Sequence, residues 1–350
     1  MSNETSYTRI PTRWIGPIRF QAMNGLFSQL QSFEITAPIA TYETALFASV
    51  ARGAKVTRLA KTLKTTVLSD HMTRSILFEA SSAATALEVS RYIQTHQVLF
   101  QETIVAVSSK HAKLIDVHVR IVASMLFVRF AFQTGEASGH NMTTIAADKI
   151  AAAIVTKFPT LRYLSVSGNY CTDKKASSVN AILGRGKSVV AELLLSRKIL
   201  KDALHTTPEA MVELNIKKNL IGSIVSGGVQ TANAHYANML LAFYIATGQD
   251  GANVVEGSQG LTHCELRGDD LYFSVSLPNI IVGTIGNGKQ ELDVKEALKQ
   301  MELTGEGSSE RLAQIAAALV LCGELSLLAA LTNENELSNS HIALERGKQE

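Results

Sequence analysis

The chain is predicted to be an α+β protein: a mainly helical large domain, residues 1–74 and 167–350, into which a small split βαβ domain is inserted at residues 75–166. Three observations predict this. Apolar residues at helical spacing dominate the flanking segments, a two-residue alternation replaces that spacing at 114–122, and the elements from 75 to 166 read strand, helix, strand, strand, helix, strand.

The small domain is the most legible part. Residues 75–78 form a short apolar stretch, and Ala86, Leu87, Val89, Tyr92 and Ile93 then fall on one helical face. In 114–122 the polar residues Asp116, His118 and Arg120 alternate with Ile115, Val117, Val119 and Ile121, the repeat of a half-buried strand. A second strand follows at 125–132 after a tight connection. A glycine-bearing loop at 134–141 leads to a helix with Ile145, Ile150, Ile154 and Phe158, which stops at Pro159, and 161–166 is the closing strand. This order is the ferredoxin-like arrangement. Outside it, 182–200, 219–247 and 308–331 have helical period, whereas 271–277 and 280–285 have the character of strands.

With 350 residues, 46% of them hydrophobic and 18% charged, the chain has apolar material for a large core. A net charge of +2 favours neither nucleic acid nor an anionic membrane as partner. The N-terminal Met-Ser-Asn-Glu-Thr-Ser lacks the features of a signal peptide, and the apolar run 312–331 is interrupted by Gln314 and Glu324, so it reads as a buried helix and not as a membrane span. Cys171, Cys264 and Cys322 make no CxxC pair and are odd in number, which argues against a disulfide framework or a zinc site and for a soluble cytoplasmic protein.

Polar residues gather in four places. Glu43, ahead of an apolar helix, has the simple reading of a first-turn acid favouring the helix dipole. Asp173, Lys174 and Lys175 read alone as a solvated charge cluster, Asp250 as a helix-terminal polar residue, and His341 as an inert tail histidine. Gly135 and Gly139 precede the helix that starts near Met142, so free backbone N–H groups there suit a pyrophosphate, although no GxGxxG fingerprint is present. A thiol enzyme built on Cys171 lacks an identifiable histidine.

Taken together these stretches form a pattern. Ala40-Thr-Tyr-Glu-Thr-Ala-Leu46, Thr134-Gly-Glu-Ala-Ser-Gly-His-Asn-Met142, Ser167-Gly-Asn-Tyr-Cys-Thr-Asp-Lys-Lys175, Asn233-Ala-His-Tyr-Ala-Asn238, Ile245-Ala-Thr-Gly-Gln-Asp250, Val282-Gly-Thr-Ile-Gly286 and Cys322-Gly-Glu-Leu-Ser-Leu-Leu-Ala-Ala330 occur in this order. The sequence thereby resembles the hydroxymethylglutaryl-coenzyme A reductase family from about Ile15 to Arg346, and its third motif resembles the NADPH-using class I.

The resemblance implies a catalytic set of Lys174 as oxyanion stabiliser, Glu43 as proton donor, Asp250 linking and tuning the two, and His341 protonating the coenzyme A thiolate. It implies substrate contacts from Ser49, Arg52, Arg74, Ser167, Asp173, Lys175, Lys218, His235 and Asn238. Cofactor contacts fall to Gly135, Glu136, Ser138, Gly139, His140, Asn141, Gly283, Thr284, Gly286 and Arg346. NADPH is the implied donor, with NADH possible and no metal. The implied partners are HMG-CoA and a second copy of the chain, in a homodimer or dimer-based oligomer.

The sequence departs from the family pattern at Glu136, where aspartate is usual, at Ser138 and His140, where methionines are common, and at Asn287 and Val254. The stretch 55–64 replaces a glycine-rich one, and Gly347 stands where animal relatives carry a phosphorylatable serine. Competing expectations are an NADH-preferring or degradative relative and an inactive scaffold of the same fold.

Overall fold

The computed structural model describes residues 6–24 and 27–346. A sheet path β2–β1–β3–β7–β9–β8 organises the larger part, with β1 at Thr12–Asn24, β2 at Phe27–Ala40, β3 at Lys64–Glu79, β7 at Gly186–Leu195, β8 at Leu261–Arg267 and β9 at Asp270–Ile280. β1 and β3 run parallel, and the other neighbours run antiparallel.

β3 belongs to two sheets. Its first half, Lys64 to His71, pairs with β7, and its second half, Met72 to Glu79, pairs with β5 at Met125–Gln133. β4 at Lys113–Val122 pairs with β5, and β6 at Arg162–Val166 pairs with β3, so this second sheet is ordered β4–β5–β3–β6 and is antiparallel throughout.

The helices cover these sheets. We label α1 at Thr44–Ala60, α2 at Ala83–Thr95, α3 at His140–Lys157, α4 at Tyr236–Ala246, α5 at Ser308–Leu331 and α6 at Glu336–His341. α2 starts where the Ser82 hydroxyl accepts the Thr85 N–H at 3.1 Å, an N-cap that satisfies one orphan donor. α3 starts at Gly139 in the left-handed region, φ +89°, and stops at Phe158. α5 is apolar and long enough to cross a membrane, but 94% of its most apolar window is buried inside the protein, against α1, α4, β7 and β9. It is the axis of the large core, as 312–331 predicts.

Two cores are distinct. One gathers around α5, and the other, from Ile76 to Leu161, includes Phe78, Val89, Ile93, Phe130, Phe132, Ile150 and Ile154. The helical faces predicted at 86–93 and 145–158 supply the second, although Leu87 and Ile145 point outward.

Several expectations need correction. The large part is not simply helical, because β1 and β2 give it a long hairpin that no periodicity announces. Residues 182–200 contain β7: Val189, Ala191, Leu193 and Leu195 are all buried on a two-residue repeat, which a run of adjacent leucines disguises as helix. The apolar stretch 75–78 is only the end of a 16-residue strand. Residues 281–285 leave the sheet after Ile280 and touch Ala137 through Ile285. Helical residues in 219–247 are divided by an irregular stretch before α4.

Gly53 shows how closely α1 and α5 cross. A Cβ built there lies 2.0 Å from the Cys322 carbonyl oxygen, so no side chain fits without parting the helices. Gly53→Ala should lower stability by about 1–3 kcal/mol, the usual range for overpacking. Chemical denaturation checks this, and unchanged stability would show that the crossing yields freely.

Candidate active site

The loop after β6 carries the central residues. Ser167 has φ +122° and donates its N–H to Ser75 O at 2.9 Å, fixing the loop to β3. Lys174 also has positive φ, +57°, and its backbone N–H reaches Glu256 Oε1 at 3.1 Å. Glu256 is fully buried and meets Arg185 Nη1 at 2.7 Å, while Arg185 Nη2 lies 2.9 Å from Asp173 Oδ1. Arg74, from β3, approaches Asp173 Oδ2 at 3.8 Å. One buried guanidinium thus positions the residues on both sides of the Asp173–Lys174 peptide.

The Lys174 side chain turns outward to Asp250, with Nζ to Oδ2 at 2.8 Å, and both are about two-fifths exposed at 42% and 44%. The hydrogen bond that Lys174 donates to Asp250 raises the ammonium pKa above the usual lysine range. Partial burial pushes the Asp250 pKa up, but the bonds from Lys174 and from the Ala252 N–H, at 3.1 Å, outweigh it and leave it lowered. Both groups are therefore charged at neutral pH.

This pair opens on a cleft of about 520 Å³ lined by Arg74, Ser138, Gly139, His140, Asn141, Gly286 and Lys289 among others. Burial and the nearby Arg185 lower the His140 pKa to about 4, so its ring is neutral, 3.3 Å from the Asn253 side chain and 3.8 Å from Asp173. Gly283 packs so tightly that a Cβ would stand 2.4 Å from Ser138 N. Gly135 and Glu136 lie behind the cleft wall: Glu136 accepts the N–H groups of Gly307 and Ser309 at 2.7 and 2.6 Å, capping α5. Thr284 donates its hydroxyl to the same carboxylate at 3.3 Å, and Ser309 Oγ donates to Gly135 O. Glu136 therefore acts as a helix cap, with both oxygens occupied.

Glu43 lies elsewhere in the chain. It precedes α1 without capping it, so its carboxylate is not committed to the helix and instead accepts the Asn238 side-chain N–H at 3.3 Å. With Ser49, Arg52, His235, Asn238 and Ser340 it lines a cavity of about 350 Å³ that shares no lining residue with the Lys174 cleft. The predicted link from Asp250 to both Lys174 and Glu43 is present within one chain only on the Lys174 side. The His235 loop is fixed by buried Glu324, which accepts the N–H groups of Ala234 and His235 at 2.9 and 2.6 Å. The His235 Nε2 atom is buried without a partner. Arg52 pairs with Glu336 at 2.5 Å and holds α6, the C-terminal helix that ends at His341, over this cavity.

Lys175 bonds the Asp173 carbonyl at 3.0 Å, and Lys218 bonds Asn219 at 3.1 Å and lines neither cavity. The His341 and Arg346 side chains and Gly347 fall outside what the structure describes. Arg185, Glu256 and Lys289 escaped the sequence reading. The charged Arg185 between two glycines, just before an apolar run, was the available signal for the first.

The site sets a charged lysine–aspartate pair at the mouth of a cleft lined by the start of α3 and the loop at 285–289, and comparison with known proteins gives its class as a reductase. Residues 3–346 match the family described as hydroxymethylglutaryl-coenzyme A reductase. The chain is 42% identical to the 3-hydroxy-3-methylglutaryl-coenzyme A reductase of Pyrococcus abyssi, covering 99% of this chain and 84% of the relative. It is 39% identical to the enzyme of the same name from Methanothermobacter thermautotrophicus, covering 99% and 85%. In fold it is similar to a Streptococcus pneumoniae 3-hydroxy-3-methylglutaryl-coenzyme A reductase, with a TM-score of 0.74 at 18% identity over 95% of this chain and 87% of that one. A class II structure from the same organism, bound to NADPH, has a TM-score of 0.72 at 18% identity over 95% and 88%. The chain belongs to the hydroxymethylglutaryl-coenzyme A reductase family.

The Arg185 network gives a direct test. Arg185→Met leaves Glu256 buried beside no cation, which typically costs about 3–5 kcal/mol. Chemical denaturation should show that loss, and adding Glu256→Gln should recover part of it; a single-variant loss below about 1 kcal/mol would mean that solvent reaches the pair.

Proposed function

We propose that the chain reduces the thioester of 3-hydroxy-3-methylglutaryl-coenzyme A in two hydride steps, releasing mevalonate and free coenzyme A, in the manner of class I of its family. The observation that carries this is the Lys174–Asp250 pair, 2.8 Å apart, at the mouth of a cleft beneath the start of α3. A nicotinamide cofactor, NADPH with NADH as the alternative, supplies the hydride when bound. The open approach at Gly286, where a Cβ would meet nothing, and the free N–H groups at Gly139, His140 and Asn141 fit its anionic part. Residues 75–166 form the inserted ferredoxin-like cofactor domain in this reading, which the separate core and the β4–β5–β3–β6 order support.

Lys174 stabilises the oxygen that gains negative charge as hydride reaches the carbonyl carbon, and Asp250 keeps it protonated and oriented. Arg74, Asp173 and Lys175 face the substrate carboxylate, with Ser167, His235 and Asn238 as polar contacts. Glu43 delivers a proton to the aldehyde-level oxygen. Because its cavity and the Lys174 cleft are separate in one chain, the complete site forms where two copies meet, with the Glu43 side of one facing the Lys174 side of the other. Three unbonded buried thiols suit the reducing cytoplasm in which we place it.

Two NADPH oxidised per thioester consumed is the expected stoichiometry, and no oxidation would overturn the reading. Lys174→Ala should lose roughly 100- to 1000-fold in rate, the effect of removing an oxyanion stabiliser, with its circular dichroism spectrum unchanged. Near wild-type rates would remove Lys174 from the chemistry.

The C-terminal helix adds a step-specific prediction. After the first reduction, coenzyme A leaves as a thiolate whose parent thiol has a pKa of about 8.5, so prompt protonation prevents its return, and a histidine of pKa about 6.5 suits that task. His341→Gln should slow reduction of the thioester strongly while mevaldehyde reduction, which releases no thiolate, stays near wild type. Equal losses on both substrates would assign His341 to closing the site instead.

A further inference from the structure

Charges lining the Lys174 cleft cancel with one exception. Arg74 faces Asp173, Lys174 faces Asp250, and neutral His140 adds nothing. Lys289 is left over. Its ammonium bonds only carbonyl oxygens, Gly248 O at 2.5 Å and Asn287 O at 3.4 Å, and among the described residues no carboxylate lies within ion-pair distance of it. Burial lowers its pKa to about 8, the mark of a cation held partly out of water without compensation.

The position is built. Residues 283–289 form a loop clamped at both ends of the cleft: Gly283 packs on Ser138, and Gly288 meets Gly248 so closely that a Cβ on either would lie 2.4–2.5 Å from the other's carbonyl oxygen. The Gly248 contact fixes the backbone next to Lys289, and Lys289 then lines the same cavity as Gly139, His140 and Asn141, whose N–H groups begin α3. The cleft therefore carries one uncompensated positive charge in the same cavity as the backbone donors at the start of α3.

We propose that Lys289 is a cofactor-binding residue that pairs with the pyrophosphate of the bound dinucleotide. This rests on the reductase reading above and adds a residue to it. A phosphate oxygen replaces the carbonyl partners of Lys289 with a charge-assisted bond, which is short and stronger than a neutral one. Because NADPH and NADH share the pyrophosphate and differ only at the ribose 2′ position, a pyrophosphate contact contributes equally to both.

Equilibrium titration of NADPH and NADH by their own fluorescence, with the full-length enzyme and no thioester present, tests the proposal. Lys289→Met should weaken both cofactors by on the order of tenfold or more, by similar factors, and Lys289→Arg should restore most of the affinity. The KM for the thioester should stay within about twofold of wild type, since the lost bond is to the cofactor alone. Unchanged affinity for both cofactors in a Lys289→Met protein with wild-type thermal unfolding overturns the assignment. So does a loss confined to NADPH, which would move the contact to the 2′-phosphate. If the wild-type protein binds neither cofactor, the reductase reading itself fails, which is a separate result from a Lys289 effect of zero in a wild type that binds.

Discussion

Arg185 is withdrawn completely from water, and both carboxylates that meet it come from distant segments, Asp173 in the loop after β6 and Glu256 in the short helix after Asp250. Burying Arg185 and Glu256 is tolerable only because each answers the other, and partly buried Asp173 takes the second guanidinium nitrogen, so the arrangement has little freedom. Lys174 depends on this constraint twice. Its backbone N–H is taken by Glu256, which holds the left-handed turn, and its side chain meets Asp250, which sits six residues before Glu256 in the same turn-and-helix unit. The exposed Lys174–Asp250 pair therefore inherits its geometry from a pair that never meets solvent.

The same economy recurs at the edges of the two cavities. Glu136 backs the Lys174 cleft by capping α5, and Glu324, inside α5, holds the His235 loop beside Glu43. One apolar helix thus anchors the surroundings of both cavities, at its N-terminus and farther along its length. Neither acid touches a cavity, yet each fixes backbone that does. The presence of glutamate at 136 is understandable in this light: its two oxygens accept separate N–H groups at the α5 start, and the added methylene over aspartate lengthens the reach to them.

How much of this was legible in the sequence follows from the range of the interactions. Local period exposes α2, α3, β4 and β5, because their alternation or helical face is written in adjacent residues. β7 was misread because Leu193, Leu194 and Leu195 carry no polar partner to mark the outward face, and β1 and β2 were missed because their pairing is the main evidence for them. Among site residues, Lys174 and Asp250 were visible through the motifs that surround them, and the structure brings them together. The separation of Glu43 from Asp250, the capping role of Glu136 and the position of Lys218 outside both cavities are facts of tertiary placement, which no short motif encodes. Glu256 escaped because it looks unremarkable until it meets Arg185, whose place between two glycines was the one local signal.

β3 has a consequence for how this architecture can be cut or recombined. Its first eight residues complete the large sheet and its last eight begin the small one, without a break between them. A cut before residue 75 severs β3 inside the ladder that Met72 to Glu79 makes with β5, so a fragment starting at 75 would leave Phe130, Ala131 and Phe132 without their strand partners. The small sheet is therefore not a cassette that can be exchanged by joining two linkers. Any chimera that exchanges the small sheet between relatives has to place its N-terminal junction inside β3, so compatibility must be matched along that strand.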